Sequence, residues 1–193
     1  MKNKLLFILF SALLIFYFTG CEKKDSKYGS IIKVNIEVQD YGTISLDLYP
    51  DVAPITVDNF VSLVKNGFYD GSSFHRIISG FMIQGGSFKG DGVTGSSKKI
   101  KGEFKENNFE NSLKHERGTI SMARANDYNS ASSQFFIMHK DTPSIDGKYA
   151  AFGRVTKGIE IVDEICSNTQ VEDSNGTTLK ENRPIITRIY VVE

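Results

Sequence analysis

The chain has 193 residues, of which 40% are apolar, and it carries 23 basic and 23 acidic residues. This length suits one domain, and the apolar fraction is large enough to build a core. No basic stripe and no run of like charge is present, so we expect no nucleic-acid partner.

The N-terminus has the pattern of an export signal. Two lysines precede fourteen uncharged residues, 5–18, and a threonine and a glycine then lead to Cys21. A basic start, a short apolar stretch and small residues are typical of a secretory signal. Fourteen residues are too few for a transmembrane helix, which needs about 20. Residues 18–21, Phe-Thr-Gly-Cys, resemble the lipobox of bacterial lipoproteins; the alternative is an ordinary signal peptide with an incidental cysteine.

We therefore predict three parts: a lipoprotein signal peptide over 1–20, a polar tether over 21–30 and a folded domain over 31–193. Loss of the signal peptide removes two lysines and no acidic residue, which leaves 21 basic and 23 acidic residues and a net charge of −2. A lipid on Cys21 would anchor the exported protein to a membrane, on its periplasmic or cell-surface side. Cys166 then has no partner for an intramolecular disulfide, and its helical surroundings predict a small core residue.

The first elements of the domain are a hairpin and a helix. Residues 32–38 and 44–48 alternate between apolar and polar side chains on either side of a turn, which predicts two half-buried strands. Pro54 suits the first turn of a helix. Apolar residues recur after it at helical spacing, and Gly67 ends the pattern.

Short strands dominate the rest of the domain. A long polar segment, 87–117, interrupts them, and a loop of this length is usually functional. About eight strands and two helices without βαβ alternation predict a mainly β fold, a closed eight-stranded antiparallel barrel capped by two α-helices. The later strands are predicted at 74–78, 81–84, 119–123, 134–138, 150–155 and 185–192, and the second helix around 159–165.

The segment 73–88, SFHRIISGFMIQGGSF, holds the most informative side chains. It places Arg76 and Gln84 close in sequence to a Phe-Met pair, Phe81 and Met82. The segment offers no obvious nucleophile–base pair, metal-ligand set or phosphate loop. An arginine beside apolar side chains suits a site that binds a peptide and reshapes it without breaking a bond.

Strand alternation predicts which side chains share a face. Around the arginine, Phe74 and Ile78 are expected on the face of Arg76, with His75 and Ile77 on the other. The same rule separates two adjacent aromatic residues further along the chain: Phe135 is expected to fill the core, and Phe136 to line an outer groove.

Hydrolytic and metal chemistry find little support. Residues 96–99 match S-x-x-K, but the motifs that accompany it in penicillin-binding enzymes are absent. The three histidines have no local ligand spacing, and residues 173–176 resemble only the start of a calcium loop. We therefore expect neither a metal nor a cofactor.

Three motifs then carry a resemblance to the cyclophilin-type peptidyl-prolyl cis-trans isomerases: FHRIISGFMIQGG at 74–86, SMARANDYNSASSQFFI at 121–137 and SIDGKYAAFGRV at 144–155. The resemblance covers almost the whole domain in the right order. It implies an eight-stranded barrel with a helix at each end and a proline-binding groove on its outer face, with Arg76 as the catalytic residue. It also implies the substrate-binding residues His75, Phe81, Met82, Gln84, Ala123, Arg124, Gln134, Phe136, Ile145 and Tyr149.

Two positions depart from the best-known members of this family. Ser144 stands where they often carry tryptophan, and Tyr149 where many carry histidine, so we expect weak cyclosporin binding. We expect a monomeric isomerase that acts on X-Pro bonds of exported proteins and assists their folding. Two alternatives remain: a lipid-anchored module that binds proline peptides with little turnover, and a surface adhesin that makes contact through residues 87–117.

Overall fold

The computed structural model describes residues 29–192, so the export signal, Cys21 and most of the tether lie outside the described residues. Within this part, nine strands and two α-helices follow the hydrophobic pattern of the sequence. They are β1 (Ile32–Val38), β2 (Gly42–Leu48), α1 (Pro54–Lys65), β3 (Ser72–Ser73), β4 (Arg76–Ile78), β5 (Met82–Gly85), β6 (Thr119–Met122), β7 (Phe135–Met138), β8 (Ala151–Lys157), α2 (Ile159–Asn168) and β9 (Ile185–Val191).

The strands form one curled antiparallel sheet in the order β3-β9-β1-β2-β8-β6-β7-β5-β4. A mainly β, antiparallel fold with two helices is therefore confirmed. The sheet is an open half-barrel of nine strands, however, where the sequence predicted a closed barrel of eight. The backbone N–H of Phe74 donates to Pro184, next to β9, and that of His75 donates to Gln84 on β5. This change of bonding partner divides one predicted strand into β3 and β4, which become the two ends of the sheet.

The core lies on the concave side of the sheet, against α1. The inner residues of β1 and β2 are fully or almost fully buried, as their alternation predicted. From α1, Phe60 packs its ring 5.2 Å from Tyr69, 5.5 Å from Phe135 and 5.2 Å from Phe152. Aromatic contacts of this kind add specific geometry to the burial of apolar area.

The long polar segment 87–117 is packed against the domain. Two short 3-10 turns, Phe88–Gly90 and Lys105–Asn107, lie within it. Its buried side chains include Phe104, in the main core, and Glu103, whose carboxylate faces the first turn of α1. The segment is therefore part of the folded structure.

The second helix, α2, places Cys166 against the main core, as predicted. Burial raises the pKa of this thiol to about 12, so the reactive thiolate is scarce at neutral pH. No helix within residues 29–192 combines the length and the apolar character needed to cross a bilayer.

Candidate active site

A second apolar cluster lies outside the main core, on β4, β5, β7 and adjacent loops. Met82, Phe136 and Met138 form its buried centre. Phe135 belongs to the main core and Phe136 to this outer cluster, which confirms the faces predicted for the pair. The cluster provides an apolar floor at the protein surface.

Above this floor lies a cavity of about 320 Å³, within the usual range for small ligand sites. Its walls combine two arginines and a glutamine with apolar and aromatic groups. Nine of the eleven residues predicted for catalysis and substrate binding line it: Arg76, Phe81, Met82, Gln84, Ala123, Arg124, Phe136, Ile145 and Tyr149.

The sheet register aligns the polar residues of the cavity. Arg76 on β4 pairs with Gln84 on β5, and Gln84 in turn pairs with Phe136 on β7. Arg76 Nη1 donates to Gln84 Oε1 at 3.1 Å, and Gln84 Nε2 donates to Gln134 Oε1 at 2.9 Å. A row of hydrogen bonds thus fixes the arginine and both glutamines along one side of the cavity.

The guanidinium of Arg76 is also held from its other side. Its Nε donates to the carbonyl oxygen of Asn175 at 2.8 Å. Its Nη2 group has no hydrogen-bond partner among residues 29–192, so this amino group remains available to a bound molecule. The arrangement supplies a fixed positive charge with unused donors beside an apolar floor.

Two predicted residues do not line this cavity. Gln134 lies one layer back, where it accepts from Gln84 and donates to the carbonyl oxygen of Gly92 at 3.4 Å. His75 is buried, with Nδ1 3.3 Å from the hydroxyl of Ser87. Burial lowers the pKa of His75 to about 4 and keeps the ring neutral. The structure therefore places His75 outside the lining of this cavity, and its predicted part in substrate binding stays a prediction.

The predicted alternation around Arg76 is only partly right. Arg76 lines the cavity and Ile78 packs on the outer cluster, while Ile77 lies in the main core. Phe74, however, is also in the main core rather than on the face of Arg76. The break between β3 and β4 falls at this point and interrupts the period of two.

Arg124 also lines this cavity, and its guanidinium lies over three aromatic rings. Its guanidinium carbon is 5.0 Å from the ring centre of Phe104, 4.9 Å from that of Tyr128 and 4.8 Å from that of Tyr149. Its Nε and Nη2 groups donate to the carbonyl oxygen of Lys148 at 3.1 and 2.9 Å. Cation–π contacts and carbonyl bonds together hold this side chain in place.

His115 packs against two aromatic residues of the cavity, Phe136 and Tyr149. Its ring stacks on Phe136 at 6.0 Å, and it bridges Asp146 and Ser121 through hydrogen bonds of 3.1 and 3.0 Å. Burial lowers the pKa of His115, although the neighbouring Asp146 opposes this. The Asp-His-Ser order resembles a hydrolytic triad, but Ser121 is fully buried and cannot reach a substrate carbonyl.

A second cavity of about 320 Å³ adjoins the first and shares Gln84, Ala123 and Arg124 with it. The sequence reasoning did not identify its other walls, because they are small or polar residues in loops. A signal for them was the Ser-rich segment before Gln134 and the glycines of the segment 87–117. These further residues are Val93, Gly95, Ala125, Ser130 and Ser132; Gln134, which the sequence did predict, also lines this second cavity.

The sequence matches the family model for the cyclophilin-type peptidyl-prolyl cis-trans isomerases over residues 33–191. It is 43% identical over 150 residues to peptidyl-prolyl cis-trans isomerase A of Dickeya dadantii, covering 75% of this chain and 76% of that protein. It is 41% identical over 146 residues to peptidyl-prolyl cis-trans isomerase B of Bacillus subtilis, covering 76% of this chain and 93% of that protein.

The structure is also similar to a solved one. A cyclophilin-type isomerase of Cryptosporidium parvum, crystallised in the presence of the dipeptide Ala-Pro, superposes with a TM-score of 0.73 at 31% identity, covering 83% of this chain and 99% of that one. The fold, the sequence motifs and the relatives all indicate the same family, and the cavity, with its arginine beside an apolar floor, is consistent with it. The chain belongs to the family of cyclophilin-type peptidyl-prolyl cis-trans isomerases, and its activity is the isomerisation of X-Pro peptide bonds.

Proposed function

We propose that this isomerase is a lipid-anchored enzyme of the cell envelope, and that Arg76 accelerates X-Pro isomerisation of exported polypeptides bound in the first cavity. The observation that carries the catalytic part is the common location of nine predicted groove residues around one cavity. The lipid anchor is supported by the N-terminal sequence, with its basic start, short apolar stretch and Cys21.

The reaction requires no covalent bond between the substrate and the enzyme. Rotation about a peptide bond has a barrier of about 18–20 kcal/mol because resonance stiffens the C–N bond. X-Pro bonds exchange between cis and trans only over tens of seconds or more. Any group that binds the twisted amide better than either planar form lowers this barrier.

Arg76 has the geometry to do so. As the amide twists, the prolyl nitrogen regains its lone pair, and a guanidinium that donates to this nitrogen stabilises the twisted state. Arginine remains charged and holds its donors in a rigid plane. The bonds to Gln84 and Asn175 fix this plane before substrate binds, while Nη2 stays unused. Pre-positioning of this kind avoids reorganisation during the reaction.

The apolar floor provides the other half of the mechanism. Met82 and Phe136 are almost fully buried, and the ring of Tyr149 stands nearly perpendicular to that of Phe136, at 88° and 5.6 Å. A proline ring held on this floor cannot turn, so the rotation falls on the preceding carbonyl group. Gln84 lies between floor and arginine, where its amide can orient the peptide backbone.

The tether determines where this activity takes place. Residues 22–30 are polar and separate Cys21 from the first strand. At about 3.5 Å per extended residue, nine residues reach at most roughly 32 Å. A lipid on Cys21 would therefore keep the groove within a short distance of the membrane, where newly exported chains emerge.

The catalytic assignment is tested with full-length protein purified from membranes in mild detergent. Arg76→Ala is expected to lower kcat/KM for an Ala-Pro peptide by about 100-fold or more, the typical effect of removing one transition-state donor. Arg188→Ala is the matched control, because Arg188 lies on β9 and pairs with Glu37 away from the cavity. A value for Arg76→Ala within threefold of the unaltered enzyme would rule out the proposed role.

The anchor is tested separately. Intact-mass measurement of the membrane-extracted protein is expected to show loss of residues 1–20 and a mass increase from acyl chains on Cys21. Cys21→Ser should move the protein to the soluble fraction while retaining isomerase activity. An unmodified cysteine in membrane-extracted protein would contradict lipidation and favour an ordinary signal peptide.

A further inference from the structure

The two adjoining cavities have an unbalanced charge. Arg76 lines the first cavity, and Arg124 lines both. The described residues that line them include no aspartate or glutamate. A peptide that crosses both cavities therefore passes two guanidinium groups and no carboxylate.

The positive charge of Arg124 is held in place without being neutralised. All of its hydrogen bonds go to backbone carbonyl oxygens, those of Lys148, Ala125 and Asn126. Within residues 29–192 it makes no ion pair; Glu106 reaches the hydroxyl of Tyr128, below the guanidinium, but does not pair with the arginine. The side chain is half-buried, so part of it faces solvent and any bound peptide.

We infer that Arg124 makes this enzyme select X-Pro segments in which an acidic residue flanks the proline. The inference rests on the proposed function, because it assumes that the proline occupies the first cavity. A flanking side chain then lies at the shared wall formed by Gln84, Ala123 and Arg124. An aspartate or glutamate there meets a fixed positive charge, whereas a lysine is repelled by it.

The expected preference is modest because the site is open to water. The attraction between two opposite unit charges about 7 Å apart in water strengthens peptide binding by roughly threefold. Replacing glutamate with lysine reverses the sign, so the two peptides should differ by about tenfold at low salt. The effect should decline at about 0.5 M salt, where the screening length falls well below 8 Å.

The test uses full-length protein in mild detergent and exchange NMR of peptides. Glutamate, glutamine or lysine is placed at each of the two positions before the proline and at the one after it. At one or more of these positions, kcat/KM for the glutamate peptide should exceed that for lysine by about tenfold. In Arg124→Gln the ratio should fall to about twofold or less, because the tenfold difference is the effect of this one charge, whereas Arg124→Lys should retain the preference.

Arg188→Gln is the matched control, because it removes the same charge from an arginine that also lies over an aromatic ring, 4.5 Å from the centre of Tyr190. It should leave the ratio unchanged. A ratio within twofold at all three positions in the unaltered protein, or an equal loss in Arg124→Gln and Arg188→Gln, would overturn the inference. Loss of the ratio at high salt in the unaltered protein supports it without any variant.

The outcomes also separate the inference from the proposed function. Absence of exchange with every peptide would refute the catalytic role of the cavity. Binding of the same peptides, measured by fluorescence anisotropy, would then decide the inference alone: equal dissociation constants for glutamate and lysine peptides would reject it, and tighter glutamate binding that depends on Arg124 would support it.

Discussion

Glu103 provides the sharpest test of how the long segment 87–117 stabilises the fold. Helix α1 begins after Ala53, which offers no capping side chain, and its first turn has no acidic residue. Glu103 supplies the missing acceptors from outside the helix. Its two oxygens accept from the backbone N–H groups of Ile55 and Thr56 at 3.0 and 2.8 Å, and one also accepts from the Thr56 hydroxyl at 2.7 Å.

The three hydrogen bonds to Glu103 determine how much stability its replacement should cost. The carboxylate is fully buried, lies at the positive end of the helix dipole, and satisfies donors that have no partner within the helix. A hydrogen bond to a charged group contributes about 1.5–3 kcal/mol, and a typical N-cap about 0.5–2. Glu103→Gln turns one acceptor into a donor that faces other donors, so we expect a loss of about 3 kcal/mol in the free energy of unfolding.

The assay is urea or thermal unfolding of full-length protein in detergent, followed by near-ultraviolet circular dichroism. For a domain of this size, about 3 kcal/mol lowers Tm by roughly 6–12 °C. Glu110→Gln is the control, since this residue is exposed on the same segment and should change stability by less than about 0.5 kcal/mol. If Glu103→Gln also stays within about 0.5 kcal/mol, the capping argument is wrong.

Two further predictions concern Gly86 and His75. Gly86 has a φ of +85°, and a Cβ there would lie 2.7 Å from the carbonyl oxygen of Ser133, so Gly86→Ala should cost about 3 kcal/mol. Gly80→Ala, at a φ of +83° with open space around it, should cost only about 1–2 in the same unfolding assay. The pKa of His75 is about 4 in the fold against an ordinary value near 6.5, so the folded state favours the neutral ring and loses stability as pH falls from about 6.5 towards 4. Between pH 7 and 5 this contributes about 2 kcal/mol, and an equal pH dependence in His75→Asn would contradict it.

Much of the fold follows from local patterns. The period of two in β1 and β2 predicts which residues face the core, and the helical spacing after Pro54 predicts the buried face of α1. The separation of Phe135 from Phe136 follows from the same rule. These predictions succeed because each depends only on neighbours in the chain and on one buried face.

The parts that sequence reasoning missed depend on contacts between distant segments. The division between β3 and β4 arises where the backbone of Phe74 and His75 changes partner from Pro184 to Gln84. No local pattern encodes such a change. His75 was assigned to the groove by resemblance alone, and only its burial and its contact with Ser87 show that it does not line the first cavity.

The segment 87–117 was predicted to be a polar surface loop, and an adhesin role would use it as a contact surface. In the structure the segment makes three contacts that support the rest of the domain. Glu103 caps α1, Phe104 lies under Arg124, and Gly92 accepts the hydrogen bond of Gln134. Deletion of the segment would therefore remove a helix cap, part of the lining of the second cavity and the ring beneath Arg124 at once, and lost binding would report a damaged fold. A role in binding a partner has to be tested at exposed positions such as Glu110, where a substitution leaves those three supporting contacts intact. A partner that binds Glu110 variants and the unaltered protein equally, yet loses affinity when Arg124 is replaced, would use the groove rather than the loop surface.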